Sequence, residues 1–275
     1  MGQAYESPQL AAVYEAGNQM PPSSLRAWAD YIVSFAPRAP ADVVEIGSGT
    51  GMLSVALARS EQVASVVGVE PSEPMRAQAL RLNPDPRVTY LAGEAASVPT
   101  GADEFDLALI SRVIHHVPDR RACAREVARI LRGTGVVVIR TTVRERLDSL
   151  VYHYWPKTRL ADAERFPSQD EITADFAHAG FTIAAITSFA QPVTGSLREY
   201  HARLATRPQS KLTALTDAEF DEGLRRLEAD ASAEDSTQQP QPVSERYDVI
   251  VLVRTSSSLR VRSERSGSNG HLARP

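Results

Sequence analysis

Val43-Val44-Glu45-Ile46-Gly47-Ser48-Gly49-Thr50-Gly51 is the stretch whose reading decides the fold. Val43 to Ile46 is a short apolar run of the kind that forms a buried strand. It leads into three glycines at alternate positions, and Gly51 to Ala58 then reads as a helix. Glycines there allow a tight turn and let a ligand lie against bare backbone, where a side chain would clash. Such a crevice at a strand end is where open α/β sheets bind ligands. The dinucleotide fingerprint needs Gly-x-Gly-x-x-Gly. Here the third glycine comes one residue early, at Gly51, and Met52 takes the dinucleotide position. Glu45, just before the loop, would repel a pyrophosphate and suits a cationic ligand better.

Outward from this loop the pattern alternates. Strands are expected at Ser65–Val69, Val88–Leu91, Phe105–Ile110 and Val136–Ile139, with helices at Glu73–Leu82 and Asp119–Leu131. Short apolar strands alternating with amphipathic helices imply a mainly parallel sheet covered on both faces. Upstream, Tyr5–Gly17 reads as a helix, and a second helix, capped by Ser23, carries Leu25, Trp28, Ala29, Ile32 and Val33. Downstream, Ser168 caps a helix ended by Gly180. Phe181–Phe189 is a strand, Leu197–Leu204 and Asp217–Ala231 are helices, 232–242 is a loop, and Tyr247–Val253 is a late strand. The expected fold class is α/β: a Rossmann-like, seven-stranded, mostly parallel sheet with helices on both faces, an N-terminal helical cap and a lid insertion. The expected divisions are 1–40 for the cap, 41–142 for the binding core, 143–166 for the lid, 167–254 for the rest of the sheet and its helices, and 255–275 for a disordered tail.

The 275 residues carry 30 Lys+Arg against 34 Asp+Glu, a formal net charge of −4, and 43% are hydrophobic. That apolar content supports a sizeable core and excludes a wholly disordered chain. Mild acidity argues against nucleic-acid binding by a basic surface. One cysteine, Cys123, excludes an intrachain disulfide and a cysteine-rich zinc site. No apolar run reaches the ~18 residues of a membrane span, and the N-terminus lacks a signal-peptide pattern. A cytoplasmic chain is the expectation, without metal, membrane or nucleic-acid partner.

Glu70 ends the second strand, close to the ~20-residue spacing after the loop at which an acidic side chain takes a ribose diol. The alternative is that Glu70 caps the next helix, a role open to Ser72. The loop, together with Val66–Met75, Leu91–Pro99, Phe105–Asp119 and Arg129–Arg140, resembles the class I S-adenosylmethionine-dependent methyltransferases over about residues 40–142. The resemblance implies S-adenosylmethionine as cofactor. It would place Glu45 toward the methionine ammonium, and Gly47, Ser48, Gly49 and Gly51 in the loop against the cofactor. Glu70 would lie on the ribose and Pro71 beside the adenine. Glu94, where the family usually has Asp, and the Ala95 N–H would meet the adenine. The family's turn before strand five stands here as Arg132-Gly133-Thr134-Gly135.

Strand four ends Ser111-Arg112-Val113-Ile114-His115-His116. In this family that end faces the reacting methyl group. Ser111 is grouped with the cofactor residues. His115, His116, Arg112 and Tyr14 are the candidate catalytic residues. A histidine there either acts on substrate as base or hydrogen-bonding group, or simply packs over the cofactor. Arg112 either binds a polar or anionic substrate group or pairs with Glu45 or another acid. The 140–168 stretch looks like an actinobacterial small-molecule subfamily. Tyr152, Tyr154 and Trp155 either wall an acceptor pocket or pack the insertion onto the sheet. Asn18, Met20, Trp28 and Arg140 complete the candidate substrate residues. The implied function is methyl transfer to O, N or C of a small, aromatic or apolar specialised metabolite. The alternatives are a catalytically idle cofactor-binding partner or sensor, and an RNA or protein methyltransferase. A homodimer is left open.

Overall fold

The computed structural model describes residues 11, 14–15, 18–207, 209–237 and 240–255. Most of the expected first helix and the tail from Ser256 lie outside them. Chain order is α1 (Pro22–Val33), β1 (Ala41–Ile46), α2 (Met52–Ala58), β2 (Val63–Val69), α3 (Glu73–Leu82), β3 (Val88–Leu91), β4 (Phe105–Ser111), α4 (Arg120–Ile130) and β5 (Leu131–Thr141). There follow α5 (Val151–Tyr154), α6 (Pro156–Arg165), α7 (Gln169–Ala177), β6 (Phe181–Thr194), α8 (Leu197–Leu204), α9 (Ser210–Thr213), α10 (Asp217–Thr237) and β7 (Val243–Arg254).

The seven strands form one sheet in the order β3-β2-β1-β4-β5-β7-β6. β1 pairs in parallel with β2 and β4, and β4 with β5, while β7 runs antiparallel between β5 and β6. The order reverses between β1 and β4, so a crevice opens at their carboxyl ends. β4 is buried along its whole length, Asp106 and Ser111 included, as its apolar run Leu107–Ile110 requires. One core lies under α4 and α7 and includes Ile46, Ile110, Ile114, Val127 and Phe176. On the other face Trp28, Ile32, Leu57 and Val66 pack under α1 and α2. Local caps fix the helix starts on the first face: the Asp119 carboxylate accepts from Ala122 N–H, and Ser168 and Glu171 form a reciprocal capping box.

Four expectations change. Ser23 does not cap α1, which starts at Pro22 with no side-chain cap. The turn expected at Arg132–Gly135 lies inside β5, as an irregularity between the pairs Phe105↔Leu131 and Leu107↔Val136. Arg132 is held there by Asp106 and Asp42, at 2.7 and 3.1 Å. The expected 232–242 loop is helical through Thr237. β6 and β7 extend well past their apolar segments as a long antiparallel pair, in which alternate residue pairs close ladder hydrogen bonds.

Candidate active site

The glycine loop crosses the end of β2. Gly47 N–H and Ser48 N–H both donate to Val69 C=O, at 2.8 and 3.2 Å. Gly47, Gly49 and Gly51 all have positive φ, at 73°, 55° and 82°, a region costly for side-chain-bearing residues. Their surroundings differ. A Cβ on Gly47 would collide with Val113, and one on Gly51 with the Tyr90 ring. Only Gly49 faces open space, with nothing within 4 Å of an added Cβ. Gly51 is thus required by its conformation and by Tyr90, rather than by closeness to a ligand.

Glu70 is 3% exposed. Its two carboxylate oxygens accept from Gly49 N–H and Ser72 N–H, each at 3.0 Å. The side chain therefore ties the loop to the start of α3 while Ser72 caps that helix. Glu70 also lines a cavity with Gly47, Gly49, Met75, Val113 and His116. Ser48 Oγ is buried without a partner among the described residues. An open glycine, an orphaned hydroxyl and a rigidly held carboxylate make a cradle that fits a polar cofactor. Pro71 is half-buried beside it. Glu94 is exposed and Ala95 half-buried, at the isolated bridge Glu94↔Ser97.

Glu45 lies below the loop, 3% exposed, and accepts a 2.5 Å hydrogen bond from Ser54 Oγ. Burial pushes its carboxyl up to about 7, against the lowering effects of Ser54 and the Arg140 charge. Arg140, on β5, is 2% exposed. Its guanidinium lies between the Trp28 and Tyr247 rings, 4.3 and 4.0 Å from their centroids. It donates to Ser111 Oγ at 3.1 Å and Gln191 Oε1 at 3.0 Å, while Nε has no partner among the described residues. Burial lowers Arg140 to about 10, which leaves it charged at neutral pH. Trp28 Nε1 donates to the same Gln191 oxygen. Trp28 is fully buried, so it meets Arg140 and the core rather than a ligand.

Arg112 follows β4 with φ 58°, an uncommon conformation for a residue with a Cβ. Its Nη2 donates to Asn18 Oδ1 at 2.8 Å, and Asn18 Nδ2 donates to Tyr14 C=O at the same distance. In this contact Arg112 meets the amide of Asn18. Asn18, Met20, Tyr14 and Arg112 close the cavity that holds Glu45, Gly47, Ser48, Gly49, Ser111 and Arg140.

Tyr14, Asn18 and Arg112 also line the neighbouring cavity, with His115, His116, Tyr152 and Phe166. His115 stacks on Phe166 at 4.1 Å and lies 4.1 Å from the His116 ring. Burial, then the charge of its neighbours, pushes His115 well below its ordinary value, and burial with Arg165 pushes His116 down to about 4. Both are neutral at pH 7 and able to accept a proton.

The aromatic insertion divides. Tyr152 reaches the cavity, its hydroxyl donating to Asp162 at 2.8 Å. Trp155 and Tyr154 do not wall a pocket. Trp155 stacks on Phe220 at 5.6 Å, donates to Phe220 C=O at 3.0 Å, and leaves no room for a Cβ on Gly223. Tyr154 donates to Asp230. These two rings bind the insertion to α10 in a third core, with Tyr200, Leu204 and Leu227. Lys211, Arg165, Glu245 and Tyr247 line the cavity unforeseen. Period-two alternation along 243–249 puts Glu245 and Tyr247 on one face of β7, the one available signal. Lys211 comes from α9, a four-residue helix with no periodic signal. No group of three or more His, Cys, Asp or Glu side chains suited to a metal occurs among the described residues.

Sheet order, glycine cradle and buried acid together define a nucleoside-cofactor-binding α/β protein. The methyltransferase-domain family matches residues 44–139. An uncharacterized methyltransferase of Bacillus pumilus is 31% identical over 166 residues, 56% of this chain and 73% of that protein. The chain belongs to the class I S-adenosylmethionine-dependent methyltransferases. A demethylmenaquinone methyltransferase of Roseiflexus castenholzii is 29% identical over 54% of this chain and 63% of its own length. The chain spans about half the length of several such curated relatives. In fold it is similar to a protein of Anabaena variabilis described as a candidate methyltransferase from an antibiotic biosynthesis pathway. That likeness has a TM-score of 0.65 and 23% identity, over 82% and 96% of the two chains. S-adenosylmethionine is the cofactor of this family.

Proposed function

We propose that this chain transfers a methyl group from S-adenosylmethionine to a nucleophilic atom of a small molecule. The observation that carries this reading is the junction of two cavities. The one containing Glu45, Gly49 and Ser111 and the one containing His115, His116 and Tyr152 share Tyr14, Asn18 and Arg112. A cofactor held by Glu70 and the glycine loop would have its reactive end near that junction. The bound sulfonium supplies the electrophile and the leaving group. The protein aligns the acceptor and excludes water. Tyr152, Phe166 and Tyr247 shape the acceptor side. Neutral His116 takes a proton from a hydroxyl or amine acceptor as the bond forms.

The test is incubation with methyl-deuterated cofactor and a panel of small phenols, anilines and carboxylic acids, read by mass spectrometry. Transfer to at least one member is expected. If His116 is the base, its low proton affinity keeps it ready above about pH 5, so turnover shows no histidine inflection between pH 6 and 8. Cofactor binding without transfer to any member would favour the idle partner or sensor instead.

A further inference from the structure

The acceptor cavity is more polar than an aromatic or apolar ligand requires, and on one wall two cations share a single carboxylate. Asp162 is buried beneath one wall, 2% exposed. Its Oδ2 receives Lys211 Nζ at 2.8 Å and the Tyr152 hydroxyl at 2.8 Å, and its Oδ1 receives Arg165 Nη2 at 3.2 Å. One carboxylate thus serves two cations, both of which line the cavity. Of the other lining charges, Arg246 pairs with Asp148 at 2.5 Å, Glu245 accepts from the Tyr247 hydroxyl at 2.5 Å, and Arg112 donates to Asn18 Oδ1 at 2.8 Å. Beside the two cations, His115 Nδ1 is buried and has no partner among the described residues. A buried polar atom without a partner is costly unless a ligand supplies one. The Phe166 ring lies against His115, and the Tyr152 ring lies 4.6 Å from Lys211 Nζ.

We propose that this wall is a carboxylate site, and that the ligand is a small aromatic acid whose carboxylate lies between Lys211 and Arg165. The inference rests on this cavity being the acceptor site. Lys211 and Arg165 together exceed Asp162 by one positive charge, which a monoanion placed between them neutralises. A phosphate dianion would exceed it and would also meet Glu245 across the cavity. Lys211 supplies the point charge, Arg165 a planar donor pair and His115 a neutral polar contact. The flanking rings take the apolar body.

Calorimetry on the full chain saturated with S-adenosylhomocysteine tests this. Hydroxybenzoates and aminobenzoates are compared with the corresponding carboxamides and with phenyl phosphate. At least one benzoate should bind, tenfold or more tighter than its carboxamide and tighter than phenyl phosphate. Lys211→Gln should cut that preference at least tenfold with the S-adenosylhomocysteine affinity unchanged, and Arg165→Gln should act in the same direction. The inference is overturned if no benzoate binds, if carboxamides bind equally well, if phenyl phosphate binds best, or if both variants keep the preference. Should a variant fail to fold, the wild-type comparison still decides. Because binding is read without turnover, absence of methyl transfer leaves this inference standing. Transfer to neutral acceptors with no preference for a carboxylate would overturn it alone.

Discussion

At the amino ends of β1 and β4, Asp106 accepts from Arg38 Nε at 2.9 Å, Arg132 Nη1 at 2.7 Å and Asp42 N–H at 2.9 Å. At the carboxyl ends of the same strands and of β5, Glu45 has a serine for its hydrogen-bond donor. Arg140 has aromatic faces, a serine and an amide, and Arg112 has an asparagine. The amino end is charge-matched. Although burial opposes ionisation, these donors hold the Asp106 carboxyl below its ordinary value. At the carboxyl end burial pushes Glu45 up to about 7, and the Ser54 hydrogen bond and the Arg140 charge only partly oppose it. Groups perturbed in this way mark functional sites, because a ligand can supply what is missing. The difference separates a carboxylate held ionised by its donors from one whose ionisation burial opposes.

The sharpest challenge to that division is Trp155, which lies in the insertion beside the carboxyl end yet belongs to a core. Trp155→Ala should cost about 3–5 kcal/mol, the range for deleting a large buried ring. Urea unfolding reads that loss, while S-adenosylhomocysteine affinity in the folded fraction stays unchanged. A stable variant that has lost only acceptor binding would return Trp155 to the pocket wall.

Asp106→Ala should come next, with a loss of about 3 kcal/mol, since Arg132 loses its closest partner and the Asp42 N–H its acceptor. The wild-type contribution of Asp106 is present above the unfolded carboxyl's ordinary value and is lost as pH falls through the lower folded one. Wild type and variant should therefore converge in stability at acid pH, with cofactor affinity equal at pH 7. A cofactor defect in this variant would break the division between the two ends.

Glu45 has the opposite sign. Its folded value is raised, so between about pH 4.5 and 7 the folded chain holds more proton than the unfolded one. Stability then falls as pH rises through that window, by up to about 3 kcal/mol. Glu45→Gln should flatten this slope in ligand-free protein, as denaturant titrations from pH 4 to pH 8 would show. An unchanged slope would mean that Glu45 is ionised throughout and not awaiting a partner.

Glu70→Ala leaves the Gly49 and Ser72 N–H groups without their acceptor and should act directly on the ligand. We expect S-adenosylhomocysteine binding to weaken by about 1–3 kcal/mol, the scale for hydrogen bonds to a charged group. Calorimetry showing full affinity would leave Glu70 as a brace of the loop only.

The sequence by itself determined the alternation of strands and helices and the glycine loop at the end of β1. Strands β1 to β4 and the Val136–Ile139 part of β5 are short, mainly apolar runs, Gly47 and Gly49 stand where the backbone turns to positive φ, and Glu70 follows the strand beside them. These are local properties, since periodicity, turn conformation and charge at a strand end are all written within a few consecutive residues. What only the tertiary structure decided is which of two chemically similar residues meets the cavity. Tyr152 and Trp155 are three positions apart on one aromatic stretch, and α10 covers Trp155 while Tyr152, buried in the same core, also lines the cavity. Gly51 looks like its two companions until Tyr90, from β3, is seen to fill the space beside it. The carboxylate wall joins Asp162 and Arg165 of α6 to Lys211 of α9, a pairing across the long β6 segment that no sequence spacing encodes. Contacts between distant segments depend on how whole faces pack, and packing is a property of the assembled chain.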